Sequence, residues 1–341
     1  MKEEMRFGLV LVLLFLGWEI ANGDQSSHCG AMQGDAAKSC RSLRSLAHHR
    51  QILLSISNVG NLELWKNWAM GAKRSGVDNF ATFAVDEEIV THVEGTWLED
   101  HLIRLPPHVN ERLQEKLDKD ALESFSDFKT GAYTLMMKLV PEMIRWVVED
   151  VGLSVLYTDT DVVVLSNPFD AIRNLPTEHD WYVSIDGTEK KKEETRCTYR
   201  RACGGLMYIT PSPTASTILA DWNSGVWKKS QKANGNQPAY NKAIDRYVNF
   251  FMRKSLYDET VVKKLRSSRV GFLPCELFPN GNRFNELFSG DWWRPLVNTR
   301  PVMVHNNWII GKENKIATFK RWNLWYPDIP EGEVDFPLHL D

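Results

Sequence analysis

The sequence predicts an α/β domain in which helices flank a mostly parallel sheet. Short apolar, β-branched runs alternate along the chain with longer segments of helical periodicity, and several of these runs end in a polar or acidic residue. The 341 residues, 43% of them hydrophobic, can bury the core of a single large domain. We expect strands at 51–57, 79–85, 153–157, 180–185, 204–210 and 301–304, and helices at 62–75, 127–150 with a second helix starting at Pro141, 214–228 and 238–254.

The amino-terminal residues 1–23 have the pattern of a signal peptide. Arg6 precedes an apolar run at 7–16, and Ala21 and Gly23 are the small residues of a possible cleavage site. A bilayer-spanning helix needs about 20 apolar residues, so a short signal anchor is the second alternative. Either alternative sends the chain into the secretory pathway, to the Golgi lumen or outside the cell, with membrane attachment only if the segment is uncleaved.

Residues 24–49 are rich in Ser, Gly and Ala with scattered Arg and His. This composition is typical of a stem or linker with little packed structure. We therefore expect the folded domain to occupy residues 50–341.

The net charge of −3 and the absence of a long Lys/Arg block argue against a nucleic-acid partner. Five cysteines in an oxidising compartment leave at least one unpaired or linked between chains. Local spacing favours Cys29 with Cys40 and Cys197 with Cys203, which leaves Cys275 over. No histidine stands at zinc-finger spacing from these cysteines, so a structural zinc is not expected.

Two carboxylates, Asp159 and Asp161, follow the apolar run at 153–157. Parallel strands open onto ligand crevices at their carboxyl ends. In extended backbone the residues on either side of Thr160 point to the same side, so both carboxylates can face one cation. An oxygen-seeking divalent ion, Mn²⁺ or Mg²⁺, would offset their repulsion and hold phosphate oxygens.

An Asp-x-Asp pair alone is a weak signal, because most such pairs are solvated turn residues. Here the apolar run VVVL follows at once, which places the pair between two buried segments where unpaired carboxylates would be costly. The same letters fit the first motif of haloacid-dehalogenase-like phosphatases, in which Asp159 would be the nucleophile. That chemistry needs a second acidic pair downstream, and the nearest candidate, Asp291, supplies one carboxylate only.

Several separated blocks together resemble the nucleotide-diphospho-sugar transferases of glycosyltransferase family 77. They are, in order, YTDTDVVVLSNPF, GGLMYITPS, NQPAYNKAI, LPCELFPNGNRF and VHNNWIIGKENKIATFKRWNLWYPD. The resemblance spans residues 51–328 and implies a GT-A fold, which is a Rossmann-like sheet. It also implies a metal-held nucleotide-diphosphate sugar, with a UDP-sugar as the expected donor, and transfer to a glycan or glycoprotein hydroxyl with retention of configuration.

The resemblance assigns roles to individual residues of this chain. Asp159 and Asp161 match the metal and nucleotide-sugar motif, and His305 matches a histidine that completes the metal shell. Lys315 stands where a cation could neutralise the departing diphosphate, or it is a solvated surface lysine. Gln237 is an amide expected near the donor sugar, although Asn236 replaces the aspartate that the family usually carries before it.

Further residues are candidates for holding the donor. Ser57 and Asn58 end the first predicted strand, and Asp86 ends the second, where domains of this kind hold the nucleoside. Asp86 could equally cap a helix. Gly204 and Gly205 could let the backbone approach the donor sugar, or they could mark a bulge.

Two alternatives stay open on the sequence. An inverting enzyme would need a general base such as Asp186 to take the proton of the acceptor hydroxyl. A secreted carbohydrate-binding protein could keep the same fold without turnover, since a fold does not fix a function. Asp159, Asp161 and His305 are all present, which favours an intact metal site and hence an enzyme.

Overall fold

A computed structural model describes residues 25–114, 131–186, 201–227, 236–251, 254, 256, 258–289 and 300–328. Its strands are β1 Gln51–Ser57, β2 Phe80–Ala84, β3 Leu102–Arg104, β4 Ser154–Thr158, β5 Val162–Val164, β6 Trp181–Ile185, β7 Ala202–Ile209, β8 Val270–Phe272 and β9 Met303–His305. Its α-helices are α1 Gln25–Gly30, α2 Gly34–Leu46, α3 Leu62–Arg74, α4 Glu87–Val93, α5 Pro107–Gln114, α6 Gly131–Arg145, α7 Pro168–Arg173, α8 Pro213–Val226, α9 Gln237–Val248, α10 Glu259–Leu265, α11 Gly281–Ser289 and α12 Lys312–Arg321.

The central sheet has seven strands in the order β3-β2-β1-β4-β7-β6-β8. The β1–β2, β1–β4, β2–β3 and β6–β8 pairs are parallel, and β7 alone runs against its two neighbours. Strands β2, β4, β6 and β7 are almost wholly buried, as expected for a sheet with helices on both faces. The predicted mostly parallel α/β architecture is confirmed. A second, two-stranded sheet pairs β5 with β9 in antiparallel register.

Helix α3 ties two central strands together through a pair of buried tryptophans. The indole N–H of Trp65 donates to Oγ1 of Thr82 on β2 at 2.7 Å, and that of Trp68 donates to Oγ1 of Thr158 on β4 at 2.7 Å. All four side chains are fully buried. A buried indole N–H without a partner is costly, so these two bonds set the depth and rotation of α3 on the sheet.

The predicted break at Pro141 is wrong. Helix α6 runs through this residue and continues as a π-helical turn, Trp146–Val151, before ending at Gly152 with a left-handed φ of +75°. Proline removes one helical hydrogen bond, but Leu139, Val140 and Met143 around it are buried in the core. Tertiary packing therefore keeps the helix continuous.

The amino-terminal segment is more ordered than its composition suggests. The predicted Cys29–Cys40 disulfide is confirmed, and it links α1 to α2. Cys40 and Leu43, both in α2, are fully buried in the main core cluster. The prediction that 24–49 has little packed structure is therefore wrong for α2. The predicted signal peptide or signal anchor at 1–23 lies outside the described residues. Within the described ranges, no helix is long and apolar enough to cross a bilayer.

The remaining cysteine predictions are corrected by the structure. Cys203 is a free, buried thiol on β7, so it does not pair with Cys197, which lies outside the described residues. Cys275, expected to be left over, is disulfide-bonded. The physical reason is that the Cys203 side chain faces the ring of His305 inside the fold, and sequence spacing does not reveal that direction.

Candidate metal centre

The end of β4 in the central sheet lies beside the end of β9 in the two-stranded sheet. Asp159 directly follows β4, and its backbone N–H donates to the carbonyl of Gly205 on β7 at 2.9 Å. Three residues after Asp159, β5 begins, and Val162 pairs with His305 of β9. The backbone N–H of Asn306 donates to the carbonyl of Asp161 at 2.8 Å. Backbone pairing thus brings the acidic pair and the histidine together from distant parts of the chain.

The three side chains form a compact cluster. Nε2 of His305 lies 3.2 Å from Oδ1 of Asp161 and 3.8 Å from Oδ2 of Asp159. One ligand atom from each residue lies within 4.8 Å of the other two. The side chains of His305 and Asp161 are almost fully buried, whereas that of Asp159 keeps 31% of its surface. The open side of the cluster is therefore at Asp159.

The charges of the cluster are strongly coupled. Burial, together with the negative charge of Asp161, raises the pKa of Asp159. Burial acts the same way on Asp161, but Lys315 and His305 outweigh it and hold the pKa of Asp161 well below its usual range. Burial alone would lower the pKa of His305, yet the charge of Asp161 raises it well above its ordinary value. Metal ligation needs deprotonated carboxylates and a neutral imidazole, so a bound cation would act against the raised pKa values of Asp159 and His305.

Lys315 belongs to this site and is not a solvated surface lysine. Its ammonium group donates to Oδ2 of Asp161, and its side chain is four-fifths buried. Helix α12 carries it, and the carbonyl of Lys315 accepts a hydrogen bond from the Asn306 side chain at 3.0 Å. Lys315 is therefore in direct contact with one of the metal-ligand candidates, and its role toward a departing diphosphate stays a prediction.

The two glycines on β7 allow the cluster to pack against the strand. A β-carbon on Gly205 would lie 2.6 Å from Cε1 of His305 and 2.8 Å from Cγ of Asp159, which is too close for any side chain. A β-carbon on Gly204 would lie 3.0 Å from Oε1 of Gln237. The structure places Gly205 directly against Asp159 and His305. The pairing of β6 with β7 also shifts register between Val183, opposite Met207, and Ser184, opposite Cys203, so both glycines lie at a β-bulge, as the alternative prediction had it.

Gln237 is engaged with the backbone of β7. Its side-chain oxygen accepts from the N–H of Gly204 at 2.8 Å, and its amide nitrogen donates to the carbonyl of Ala202. Asn241, one turn along α9, also contacts Ala202 on both its N–H and its carbonyl. In this structure Gln237 is hydrogen-bonded to the backbone of β7, the strand that carries both glycines. Its connection to the candidate metal centre therefore runs through β7.

The nucleoside candidates lie at the carboxyl ends of β1 and β2. Asp86 caps α4, since its Oδ1 accepts from the N–H of Ile89 at 2.8 Å, and its Oδ2 accepts from the N–H of Val59 at 2.9 Å. The alternative role of Asp86 as a helix cap is therefore confirmed. Ser57 and Asn58 are buried beside it, where the loop after β1 turns. These residues lie at the carboxyl ends of β1 and β2, on one side of the acidic pair in the sheet order.

Two residues that contact the cluster, Tyr157 and Cys203, were not predicted as part of it. The hydroxyl of Tyr157 donates to Oδ1 of Asp159 at 3.1 Å, and Sγ of Cys203 lies 3.6 Å from Nδ1 of His305. Tyr157 falls two residues before Asp159 in a strand, a spacing that places both on one side and could have revealed it. Asp186, at the end of β6, is close enough for His305 to influence its charge, while burial raises its pKa.

The donor set fits a divalent cation. Two carboxylates and one imidazole supply oxygen and nitrogen ligands, and the net negative charge of the acidic pair favours an ion of two positive charges. Imidazole suits Mn²⁺ better than Mg²⁺, which prefers an all-oxygen shell. Asp159, Asp161 and His305 are the residues that would hold it.

Comparison with known proteins finds a family whose model covers the region of this site. A model of the nucleotide-diphospho-sugar transferase family matches residues 75–319, which include the acidic pair, His305 and Lys315. The Arabidopsis thaliana UDP-D-xylose:L-fucose alpha-1,3-D-xylosyltransferase MGP4 is 22% identical over 303 residues, which cover 84% of this chain and 73% of that protein.

Two further proteins show more distant similarity. The Dictyostelium discoideum UDP-galactose:fucoside alpha-3-galactosyltransferase is 24% identical over 199 residues, covering 56% of this chain and 28% of its own. The crystal structure of the galactosyltransferase LgtC with donor and acceptor sugar analogues covers 82% of this chain and 97% of its own, at 14% identity and a TM-score of 0.41. Because the family model spans most of the sequence and every residue of the candidate metal centre, the chain belongs to the nucleotide-diphospho-sugar transferase family.

Proposed function

We propose that the protein is a metal-dependent glycosyltransferase that uses a UDP-sugar and retains the configuration of the transferred sugar. The observation that carries this proposal is the cluster of Asp159, Asp161 and His305, whose ligand atoms lie within 4.8 Å of one another at the end of β4. The phosphatase alternative is abandoned, because the chain belongs to a sugar-transferase family. The disulfide between Cys29 and Cys40 supports a luminal or secreted location.

Each residue of the centre has a role in this reaction. A divalent ion bound by Asp159, Asp161 and His305 would neutralise the diphosphate and favour its departure. The ammonium group of Lys315 adds a second positive charge beside Asp161, within the same buried cluster. Gly205 leaves room above β7 for the Asp159 and His305 side chains, which would otherwise meet a β-carbon. The nucleoside would bind at the carboxyl ends of β1 and β2, where Ser57, Asn58 and Asp86 lie.

For the chemical step we propose attack from the face that the diphosphate leaves. The bond between the anomeric carbon and the phosphate oxygen breaks, a bond from that carbon to the acceptor oxygen forms, and the hydroxyl proton passes to the departing diphosphate. The names of the Arabidopsis xylosyltransferase and the Dictyostelium galactosyltransferase both state an alpha linkage. An α-linked product formed from an α-linked donor means that configuration is retained. An inverted product would instead make Asp186 the general base.

The same two names suggest where substrate testing should begin. One enzyme uses UDP-xylose and the other UDP-galactose, and both act on fucose or a fucoside. We propose UDP-xylose as the first donor to test, UDP-galactose as the second, and a fucoside as the first acceptor.

The decisive experiment combines metal binding with donor turnover. Asp159→Asn, Asp161→Asn and His305→Ala should each weaken Mn²⁺ binding, measured by electron paramagnetic resonance. Hydrolysis of UDP-xylose should fall by about 100-fold or more in the two Asp variants, because the ion links the protein to the leaving group. The expected effect of His305→Ala is smaller, with partial recovery at higher Mn²⁺.

Surface variants of the same residue types serve as controls. Asp170→Asn and His92→Ala change an exposed carboxylate and an exposed imidazole away from the centre and should leave Mn²⁺ binding and turnover at the wild-type level. If the wild-type protein neither binds nor hydrolyses any UDP-sugar with Mn²⁺, the enzyme proposal fails and a carbohydrate-binding role replaces it.

A further inference from the structure

An exposed tryptophan stands on the loop that joins the metal-centre histidine to the lysine helix. This loop, residues 306–311, follows β9 and leads into α12. Trp308 has 56% of its surface exposed, and Ile310 has 65%. Most large apolar side chains of this protein are buried, so two exposed ones within three residues form a distinct apolar patch.

The backbone conformation at Trp308 is unusual for this residue type. Its φ is +69°, in the left-handed region that bulky residues seldom adopt. Such strain persists only where the surrounding structure imposes it, and it is concentrated at ligand sites. Burial does not explain it here, because the indole is mostly in solvent.

The loop itself is held firmly at both ends. The side chain of Asn306 donates to the carbonyl of Lys315 at 3.0 Å, and that of Asn307 accepts from the N–H of Gly281 at 2.9 Å. Asn314 donates to the carbonyl of Ile310 at 2.9 Å. An aromatic ring on such a fixed loop can bind a ligand with little loss of conformational entropy.

Trp308 is also connected to the centre by a hydrogen bond. Its side chain bonds to the carboxyl group of Asp186, and the charge of His305 acts on that same carboxyl group. An indole N–H can only donate, so the carboxylate accepts. The aromatic ring therefore lies at the rim of the cluster, with an acidic acceptor beside it.

The sheet order places this pair on one side of the centre. Asp86 and Asn58 follow β2 and β1, whereas Asp186 follows β6, and β4 with its acidic pair lies between them. Neighbouring strands are about 4.8 Å apart, so the ends of β4 and β6 are separated by roughly 10 Å. If the nucleoside occupies the β1–β2 side, Trp308 and Asp186 face the reacting sugar from the opposite side.

We propose that Trp308, Ile310 and Asp186 form the acceptor-sugar subsite, with the indole face against the C–H face of a pyranose ring and Asp186 accepting a hydrogen bond from a sugar hydroxyl. Aromatic side chains with a polar partner suit ligands that combine an apolar face with hydroxyl groups. This inference rests on the proposed function, because a subsite for the acceptor presupposes glycosyl transfer.

Steady-state kinetics with UDP-xylose and methyl α-L-fucopyranoside would test the subsite. Trp308→Ala should raise KM for the fucoside by about tenfold or more, with a change in KM for UDP-xylose of about twofold or less. Trp308→Phe keeps a flat ring but loses the N–H, so its KM should be intermediate. Phe250→Ala is the matched control, since Phe250 is also an exposed aromatic residue, and it should leave both constants unchanged.

A binding measurement keeps this test independent of turnover. In saturation-transfer NMR with Mn²⁺ and UDP present, the ring protons of the fucoside should receive saturation from wild type and Phe250→Ala but not from Trp308→Ala. Equal fucoside binding by Trp308→Ala would overturn the inference, as would a rise in the donor KM that matches the rise in the acceptor KM. A wild-type protein that transfers xylose while Trp308→Ala behaves normally would refute the subsite and leave the proposed function intact.

Discussion

The backbone N–H of Asp159 donates to the carbonyl oxygen of Gly205 at 2.9 Å, so the first carboxylate of the centre is supported directly by a glycine of β7. A β-carbon at that glycine would lie 2.8 Å from Cγ of Asp159. Strand β7 therefore needs glycine here for steric reasons, not for an unusual φ angle.

Gly205→Ala should displace the Asp159 side chain and disrupt the metal centre. We expect Mn²⁺ affinity to fall by about 10- to 100-fold, the range seen when the groups that orient metal ligands are lost. Calorimetric titration with Mn²⁺ measures this. Gly30→Ala is the control, because a β-carbon there meets nothing within 4 Å, and it should bind Mn²⁺ like wild type. Wild-type affinity in Gly205→Ala would show that β7 yields to the extra methyl group.

The thiol of Cys203 fixes the orientation of a metal-ligand candidate. Its Sγ lies 3.6 Å from Nδ1 of His305, which leaves Nε2 to face the carboxylates. Cys203→Ala should weaken Mn²⁺ binding by about tenfold, because the imidazole loses the contact that sets its tautomer and rotation. Cys203→Ser keeps a polar atom there and should recover part of the affinity. Equal Mn²⁺ affinity of the Ala and Ser variants would contradict this role.

The two hydrogen bonds between tryptophan and threonine side chains can be tested with a matched pair of variants. Thr158→Val and Thr82→Val each leave a buried indole N–H without its partner, so each should lower the free energy of unfolding by about 1–3 kcal/mol. Only Thr158 directly precedes Asp159. Donor turnover should therefore fall in Thr158→Val and stay near wild type in Thr82→Val. Urea unfolding and UDP-xylose hydrolysis check both parts, and equal turnover of the two variants would argue against a link between α3 and the acidic pair.

The Cys29–Cys40 disulfide should stabilise the domain without serving the reaction. The sequence separation is 11 residues, and closing a loop of that size contributes about 3 kcal/mol in the chain-entropy description. The double variant Cys29→Ser/Cys40→Ser should therefore melt at a lower temperature. Its turnover at a temperature where it remains folded should match wild type. A large loss of turnover in the folded protein would show that α1 and α2 influence the centre.

The sequence predicts the sheet well because its buried strands are continuous apolar runs bounded by polar residues. Strand β1 was expected at 51–57 and lies at Gln51–Ser57, and β4 is displaced by one residue from the expected 153–157. Asp159 and Asp161 were found because they interrupt such a run. His305 and Lys315 were found through the family resemblance, and the structure places both against Asp161.

What could not be predicted depends on contacts between distant segments. Cys203 lies 102 residues from His305 in sequence, and only the pairing of β7 with β4 brings the thiol to the imidazole. Spacing alone favoured the wrong partner for it. Likewise, the Ser- and Ala-rich composition of 24–49 hides α2, which buries Ala37, Cys40 and Leu43.

The packing of α1 also determines how the catalytic face is presented. A β-carbon on Gly152, just before β4, would lie 3.3 Å from the ring of His28 in α1, whereas Asp159 follows the other end of the same strand. At about 3.3 Å per residue, the amino-terminal helix and the metal centre are separated by roughly 20 Å along β4. Any stem or anchor attached at the amino-terminal end would therefore hold the domain on the side opposite the candidate metal centre. The centre would then face away from that attachment. Bulky acceptors such as branched glycans on a protein surface could then dock without colliding with that stem or anchor.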